Sequence, residues 1–263
     1  MAKFYPMFSG SDGNSTYIGD HQGGVLVDVG VSFKRLCVAL ATAEIPLDHI
    51  KAVLITHEHN DHIKGLKMLI KKHPVPVIAS RDTVYALEFS GAIDYSHPRI
   101  YIDEVEEYVL DSMTIKRFPT SHDCKGSSCY TVTLQSGVRA AVCTDLGIMT
   151  DEIRQGLYGS SIIMLESNHD PTMLRLGPYP PELKLRISSD EGHLSNAVCA
   201  ETLAEFFEGG TNRFVLGHLS KHNNTPEKAA SATRAAIMDK GGAENRDYIL
   251  YIAPDEGGKV IPI

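Results

Sequence analysis

His57-Glu58-His59-Asn60-Asp61-His62 places four side chains able to bind a metal within six residues, between the apolar run Ala52-Val53-Leu54-Ile55-Thr56 and an amphipathic stretch starting at His62. An apolar, β-branched run followed by helical periodicity predicts a strand, a sharp turn and a helix, so all four groups fall on the turn. They cannot all reach one tetrahedral ion. The turn can instead direct His57 and His59 to one ion and Asp61 and His62 to a neighbour. Neutral imidazole is the commonest metal ligand, and the chain carries 12 His.

The same pattern recurs along the chain. Val25-Leu26-Val27 precedes Asp28, Phe118-Pro119-Thr120-Ser121 precedes His122, Val142-Cys143-Thr144 precedes Asp145, Met164-Leu165 precedes Glu166, and Val215-Leu216-Gly217 precedes His218. In layered α/β proteins, sites gather at the carboxyl ends of strands, so one crevice is expected to collect these groups. His122 would complete a three-histidine set with His57 and His59, His218 would join Asp61 and His62, and Asp145 would bridge. Two ions sharing a water bring its pKa near neutrality, which makes the bridging hydroxide the nucleophile of a displacement. Nitrogen and oxygen donors without thiolates suit Zn, Mn or Fe.

Strands are expected at Val25–Val29, Ala52–Thr56, Val75–Ala79, Arg99–Ile102, Ser112–Pro119, Ser128–Leu134, Arg139–Thr144, Ile162–Glu166, Arg213–Leu216 and Tyr248–Ile252, with a hairpin turn at Gln135-Ser136-Gly137. Helices are expected at Ser32–Ala43, His62–His73, Arg81–Ser90, Thr150–Tyr158, Leu194–Glu208 and Thr225–Lys240, the last with Thr225 as cap and Pro226 in the first turn. This is an α/β protein with mixed sheets. No composition shift marks a boundary, so residues 1–263 read as a single domain.

Composition narrows the class further. The 263 residues are 43% hydrophobic and 22% charged, which excludes disordered and low-complexity readings. A formal charge of −8, from 25 Lys+Arg against 33 Asp+Glu, argues against a broad duplex-gripping surface. Cys37, Cys124, Cys129, Cys143 and Cys199 contain no CxxC pair and read as reduced thiols of a cytoplasmic protein. Neither a signal peptide nor a membrane span is evident. Lys64, Lys67 and Lys71 read as a solvated helix face.

Asp28, the HxHxDH run at 57–62, His122, Asp145 and His218 resemble, in order and rough spacing, the five motifs of metallo-β-lactamase-fold hydrolases. The resemblance implies an αβ/βα four-layer sandwich with two mixed β-sheets and two divalent ions, and makes Asp28 the carboxylate that holds the HxHxDH loop. An aspartate at 145, where β-lactamases typically carry cysteine, disfavours a β-lactamase. Leu165-Glu166-Ser167-Asn168 and Gly192-His193-Leu194-Ser195 are similar to the catalytic pair of the tRNA 3′-processing branch. That likeness makes His193 a general acid for a phosphodiester's poor leaving group and Glu166 its orienting partner, with Asp61 completing the catalytic set.

Gly217-His218-Leu219-Ser220-Lys221-His222 is like the same branch's His-x-Ser-x-Arg-Tyr motif, with His222 in place of Arg. It puts Ser220 and His222 at a substrate phosphate. Ser9-Gly10-Ser11-Asp12-Gly13-Asn14 and Glu166-Ser167-Asn168-His169-Asp170, followed by Gly177-x-Tyr179-Pro180, resemble the YycJ (WalJ) family from residue 9 to about residue 235. This likeness implies a DNA exonuclease acting from 5′ ends, with Ser9, Ser11, Asn14 and Asn168 on the substrate side. The Ser-Gly-Ser loop reads equally as a phosphate cradle or as a tight turn needing glycine at positive φ. The competing readings are a glyoxalase II-like thioesterase, a small cyclic-phosphodiester hydrolase of the same fold, and a regulatory scaffold with a vestigial metal site.

Overall fold

The computed structural model describes residues 1–263. The chain forms two compact units: Met1–Arg117 with Cys124–Ala140 and Pro254–Ile263, and Phe118–Asp123 with Ala141–Ala253. Its strands are β1 (Lys3–Phe8), β2 (Ser15–Asp20), β3 (Gly23–Val27), β4 (Ile50–Leu54), β5 (Val77–Ala79), β6 (Arg99–Tyr101), β7 (Tyr108–Leu110), β8 (Met113–Pro119), β9 (Ser128–Thr133), β10 (Arg139–Cys143), β11 (Ile162–Glu166), β12 (Arg213–Gly217), β13 (Ile249–Ile252) and β14 (Ile261–Pro262). Two seven-stranded sheets run in the orders β14-β1-β2-β3-β4-β5-β6 and β13-β12-β11-β10-β9-β8-β7. Both are mixed. β1, β2 and β3 pair antiparallel and β3 to β6 parallel, while β7 and β8 pair antiparallel and β11 to β13 parallel.

The first unit carries helices α1 (Phe33–Thr42), α2 (Asn60–Ile63), α3 (Leu66–Lys72) and α4 (Arg81–Phe89). β3 and β5 are buried at every position, as parallel strands covered on both faces must be. Leu26, Val53, Ile55, Leu66, Leu69 and Val77 join one core with Tyr5, Phe8 and Tyr17 from the N-terminal hairpin. Ser32 and Ser80 cap α1 and α4 by accepting from Arg35 N and Thr83 N.

The second unit carries α5 (Asp151–Leu157), α6 (Pro171–Leu176), α7 (Pro181–Ile187), α8 (Asn196–Glu208) and α9 (Pro226–Asp239). β11 is wholly buried, α8 and α9 pack on each other, and Cys199, Leu203, Phe206, Ala230 and Ile237 of these two helices are buried. Thr150, Asp170, Ser195 and Thr225 cap α5, α6, α8 and α9. No helix is long and apolar enough to cross a membrane.

Each expected strand is present, and the Gln135–Gly137 turn forms, with Gly137 at φ +84 and its N–H donating to Leu134 O. The expected helix His62–His73 is instead two. α2 ends before Gly65, where a Cβ would lie 2.1 Å from Val31 O, so the backbones of the two segments touch at a residue that must lack a side chain. No disulfide joins any of the five cysteines.

Candidate metal and catalytic site

Asp28 follows β3 and turns the chain through φ +62, a left-handed conformation that only a few side chains tolerate. Its carboxylate, 2% exposed, organises the first unit's histidine turn. Oδ1 accepts from Thr56 N at 2.8 Å, and Oδ2 accepts from Thr56 Oγ1 at 2.9 Å and from His62 Nδ1 at 2.8 Å. Thr56 Oγ1 also lies 3.0 Å from His57 Nδ1, and His57 Nε2 lies 3.0 Å from His59 Nδ1. The rings of His57 and His62 sit 4.0 Å apart, and both are fully buried. Asp61 Oδ2 is 3.5 Å from His62 Nε2.

A second loop braces this turn. Asn14 N donates to Asp61 O at 2.8 Å, and Asn14 Nδ2 lies 3.1 Å from His62 Nε2. Gly30 lets the loops meet, because a Cβ there would lie 1.7 Å from Asp61 O and 2.5 Å from Asn14 N. In the loop that bears Asn14, Gly10 and Gly13 take φ +121 and +153.

In the second unit the organiser is Glu166, the last residue of β11 and 0% exposed. Its Oε1 accepts from His193 Nδ1 and from His218 Nδ1, each at 2.7 Å, while Oε2 accepts from Leu146 N at 3.2 Å and Leu194 N at 3.3 Å. Asp145 Oδ1 lies 3.3 Å from His218 Nδ1, 3.7 Å from His193 Nδ1 and 3.9 Å from His122 Nε2. His122 Nδ1 donates to Gly192 O at 3.3 Å. Like Asp28, Asp145 and His218 adopt left-handed backbone, at φ +60 and +53.

Charge is correspondingly concentrated. Burial alone would raise the Glu166 carboxyl, but His193 and His218 hold it far below the usual carboxylate range. Burial disfavours the charged form of His193, yet Glu166 and then Asp145 bring it above an ordinary imidazole. His122 moves the other way, lowered by burial.

The remaining sequence-predicted residues fall in several places. Asn168 is buried, and its Nδ2 donates to His218 O at 3.0 Å. Ser220, half-buried, donates from its N–H to Asn168 O at 2.8 Å. Ser9 is buried with its N–H on Pro254 O, Ser11 is exposed at a loop tip, and His222 is exposed with its ring 5.7 Å from that of Tyr179. Asn14 and Asn168, read from sequence as substrate residues, thus have amides engaged with the loops that carry His62 and His218.

Sequence reasoning missed the hub role of Thr56, whose only signal is its place directly before His57. It also missed that Glu166 serves two histidines, and it missed a buried amide lattice beneath them. In that lattice Asn224 Nδ2 donates to Ser167 O at 2.8 Å and pairs with Asn196, which accepts from Ser167 Oγ at 2.7 Å.

These donors suit a divalent cation. His62 has Nδ1 on a carboxylate, His122 on a carbonyl and His218 on a carboxylate, so each is fixed in the tautomer that presents Nε2, the usual preparation of a metal-binding imidazole. Within the second unit, one ligand atom each of Asp145, Glu166, His193 and His218 lie within 4.8 Å of one another.

Comparison with known proteins identifies the family. Residues 24–219 match the family described as the Beta-lactamase superfamily domain. The chain is 34% identical to exodeoxyribonuclease YycJ of Bacillus anthracis over 240 residues, 90% of each chain. It is 35% identical to exodeoxyribonuclease WalJ of Streptococcus pneumoniae over 230 residues, 86% of this chain and 85% of that one. Among solved structures, Zn(2+)-bound PqqB from Methylobacterium extorquens superposes with TM-score 0.73 at 15% identity over the whole of both chains. The metallo-β-lactamase fold protein YhfI from Bacillus subtilis gives 0.70 at 15% identity, covering 99% of this chain and 98% of its own. The fold is therefore the metallo-β-lactamase fold, and the chain belongs to the β-lactamase superfamily and, within it, to the YycJ/WalJ family of metal-dependent hydrolases.

Proposed function

We propose that this protein is a two-metal exodeoxyribonuclease that removes nucleotides from 5′ ends in the cytoplasm, its two units serving as one catalytic domain. The observation that carries the reading is the grip of Glu166 Oε1 on Nδ1 of both His193 and His218. It supports His193 as a proton donor held ready on a buried carboxylate, and the names of the YycJ and WalJ relatives support DNA as the substrate.

His57, His59 and His122 would hold one divalent ion, and Asp61, His62 and His218 a second, with Asp145 shared. When bound, such ions lower the pKa of a shared water and clamp the phosphoryl oxygens. The protein's own work is then orientation and proton transfer. Asp28 and Thr56 keep the histidine turn in register, and Glu166 keeps His193 protonated on Nδ1. Nε2 of His193 delivers a proton to the departing sugar oxygen, an alkoxide that leaves poorly without one. A thiolate needs no such acid, which favours a diester over a thioester. Ser220 stands on the phosphate side, and Ser11 and His222 on the outer substrate side.

The test is an activity panel on metal-stripped protein with Zn, Mn or Fe added back. Its substrates are 5′-labelled single- and double-stranded DNA, RNA, bis(p-nitrophenyl) phosphate and S-lactoylglutathione. Release of labelled mononucleotide from DNA, dependent on metal, is expected. Turnover of the thioester alone overturns the reading.

A further inference from the structure

Between Glu166 and His193 the chain makes an excursion through α6 and α7, and the end of α7 returns it to the candidate site. The return is a backbone contact. His193 N donates to Ile187 O at 2.9 Å, and a Cβ on Gly192 would lie 2.3 Å from both Arg186 O and Ile187 O, so the last turn of α7 is pressed against the loop that presents His193. The same loop brings Gly192 O to His122 Nδ1, at 3.3 Å. Arg186 is thereby carried on backbone that touches the supports of both histidines.

Its side chain reaches back to the same place. Arg186 Nε donates to Asp123 Oδ2, and Asp123 Oδ1 lies 3.4 Å from Nε2 of His122, the ring nitrogen that His122 would offer to an ion. A single carboxylate therefore separates the guanidinium from that atom. The Arg186 side chain is 53% exposed, and Asp123 is the one partner of its guanidinium, which leaves both terminal nitrogens uncommitted.

This geometry suits a phosphate. A guanidinium is a rigid planar fork whose N–H groups match the oxygens of a phosphate, and charge-assisted bonds of this kind are roughly twice as strong as neutral ones. Its weakness is a long stem, whose rotamer freedom is lost when it grips an anion. Here the end of α7 fixes the backbone and Asp123 fixes the plane before any ligand arrives. Because Asp123 balances its charge, Arg186 adds direction without a basic surface, in keeping with a chain of net charge −8.

We propose that Arg186 contacts a backbone phosphate of the DNA strand beside His122, with Asp123 as the positioning residue that orients its guanidinium. The proposal rests on the exodeoxyribonuclease reading and adds to it a substrate-contacting residue that lies outside the motifs and the proposed ligand set.

Binding of a labelled DNA duplex with hydrolysis-resistant phosphorothioate end linkages to the metal-loaded protein tests this, read by fluorescence anisotropy over a range of KCl. Arg186→Ala is expected to weaken binding about 10- to 100-fold and to reduce the slope of log K against log salt by about one, as loss of one phosphate contact does. Arg186→Lys keeps the charge without the fork, so it should restore the slope and only part of the affinity. An unchanged slope in Arg186→Ala overturns the contact, as does loss of metal from that variant, which would assign Arg186 to support of the ion instead. The double variant Asp123→Asn/Arg186→Ala has the wild-type net charge and is expected to bind as weakly as Arg186→Ala. Recovery of wild-type binding would reduce the pair to charge balance and overturn the proposal. Asp123→Ala should keep the slope but lose affinity, and affinity at or above wild type would remove its positioning role. Digestion of the unmodified duplex is followed separately, so a wild-type protein that binds with the expected slope but degrades no DNA would fail the exonuclease reading and leave the contact standing.

Discussion

The two sets of proposed metal ligands solve one problem by opposite routes. In the first unit the ligands are neighbours in sequence, His57 to His62, and the difficulty is to hold one short turn rigid. Asp28 and Asn14 do this from two other loops, at 2.8 Å from His62 Nδ1 and 3.1 Å from His62 Nε2. In the second unit the ligands are strangers in sequence, His122, Asp145 and His218, each delivered by the end of its own strand. One carboxylate, Glu166, ties His218 to His193. A contiguous motif therefore needs several outside braces, whereas a dispersed one needs a single hub, and damage to the hub should be the more severe.

That contrast can be broken by mutation. Glu166→Ala should be the most damaging change, because it frees His193 and His218 together and strands two backbone N–H groups. We expect kcat on DNA to fall about 10⁴-fold, at the upper end for loss of positioned acid–base catalysis. Retention of more than a tenth of wild-type activity would deny it the hub role. His193→Ala should keep both metals, measured by plasma emission spectrometry. It should slow unactivated DNA about 10²- to 10³-fold and p-nitrophenyl diesters far less, since p-nitrophenolate leaves without an acid. Equal losses on both substrates would remove the proton-donor assignment.

Asp28→Asn loosens only one of several braces. A fall of about 10- to 100-fold in metal affinity is expected, read by chelator competition, with kcat largely recovered at saturating metal. A kcat loss as deep as that of Glu166→Ala would erase the distinction between the two units.

The smallest effect concerns the excursion after Glu166, where Asp170 caps α6 and pairs with Lys228 at 3.2 Å. Burial nudges the Asp170 carboxyl up, but the Met173 N–H and Lys228 outweigh it and leave it below its ordinary value. A carboxylate depressed in the folded state adds stability that is fully present above its unfolded pKa of about 4 and is lost as pH falls through the lower folded value. Asp170→Ala should therefore cost about 1 kcal/mol at neutral pH, with the gap to wild type closing below about pH 4 in urea titrations. A gap that stays constant down to pH 2 would contradict this.

What could be read in advance follows the same division. The turn at 57–62 was legible because its three histidines and Asp61 are adjacent, and the strand-end residues were legible because apolar runs stop at them. The N-terminal hairpin was not, since Pro6 interrupts the pattern of β1; in the fold the register shifts between Pro6 and Phe8, a bulge that accommodates it. α6 and α7 were hidden by their own start signals. Pro171 and Pro181 occupy first-turn positions, where proline suits a helix, yet a proline-rich run reads as loop. The double duty of Glu166 and the bracing by Asn14 depend on contacts between distant segments, which no local pattern encodes.

The left-handed backbone at Asp28, Asp145 and His218 has a consequence for how such a protein can change. Each strained residue of this kind costs of order 1 to 3 kcal/mol, relieved most readily by glycine. Substitutions that would relieve this strain are thus the same ones that delete two proposed ligands and the carboxylate that braces the histidine turn. Selection for thermal endurance alone would steer such a chain toward a sturdier protein that lacks these three side chains.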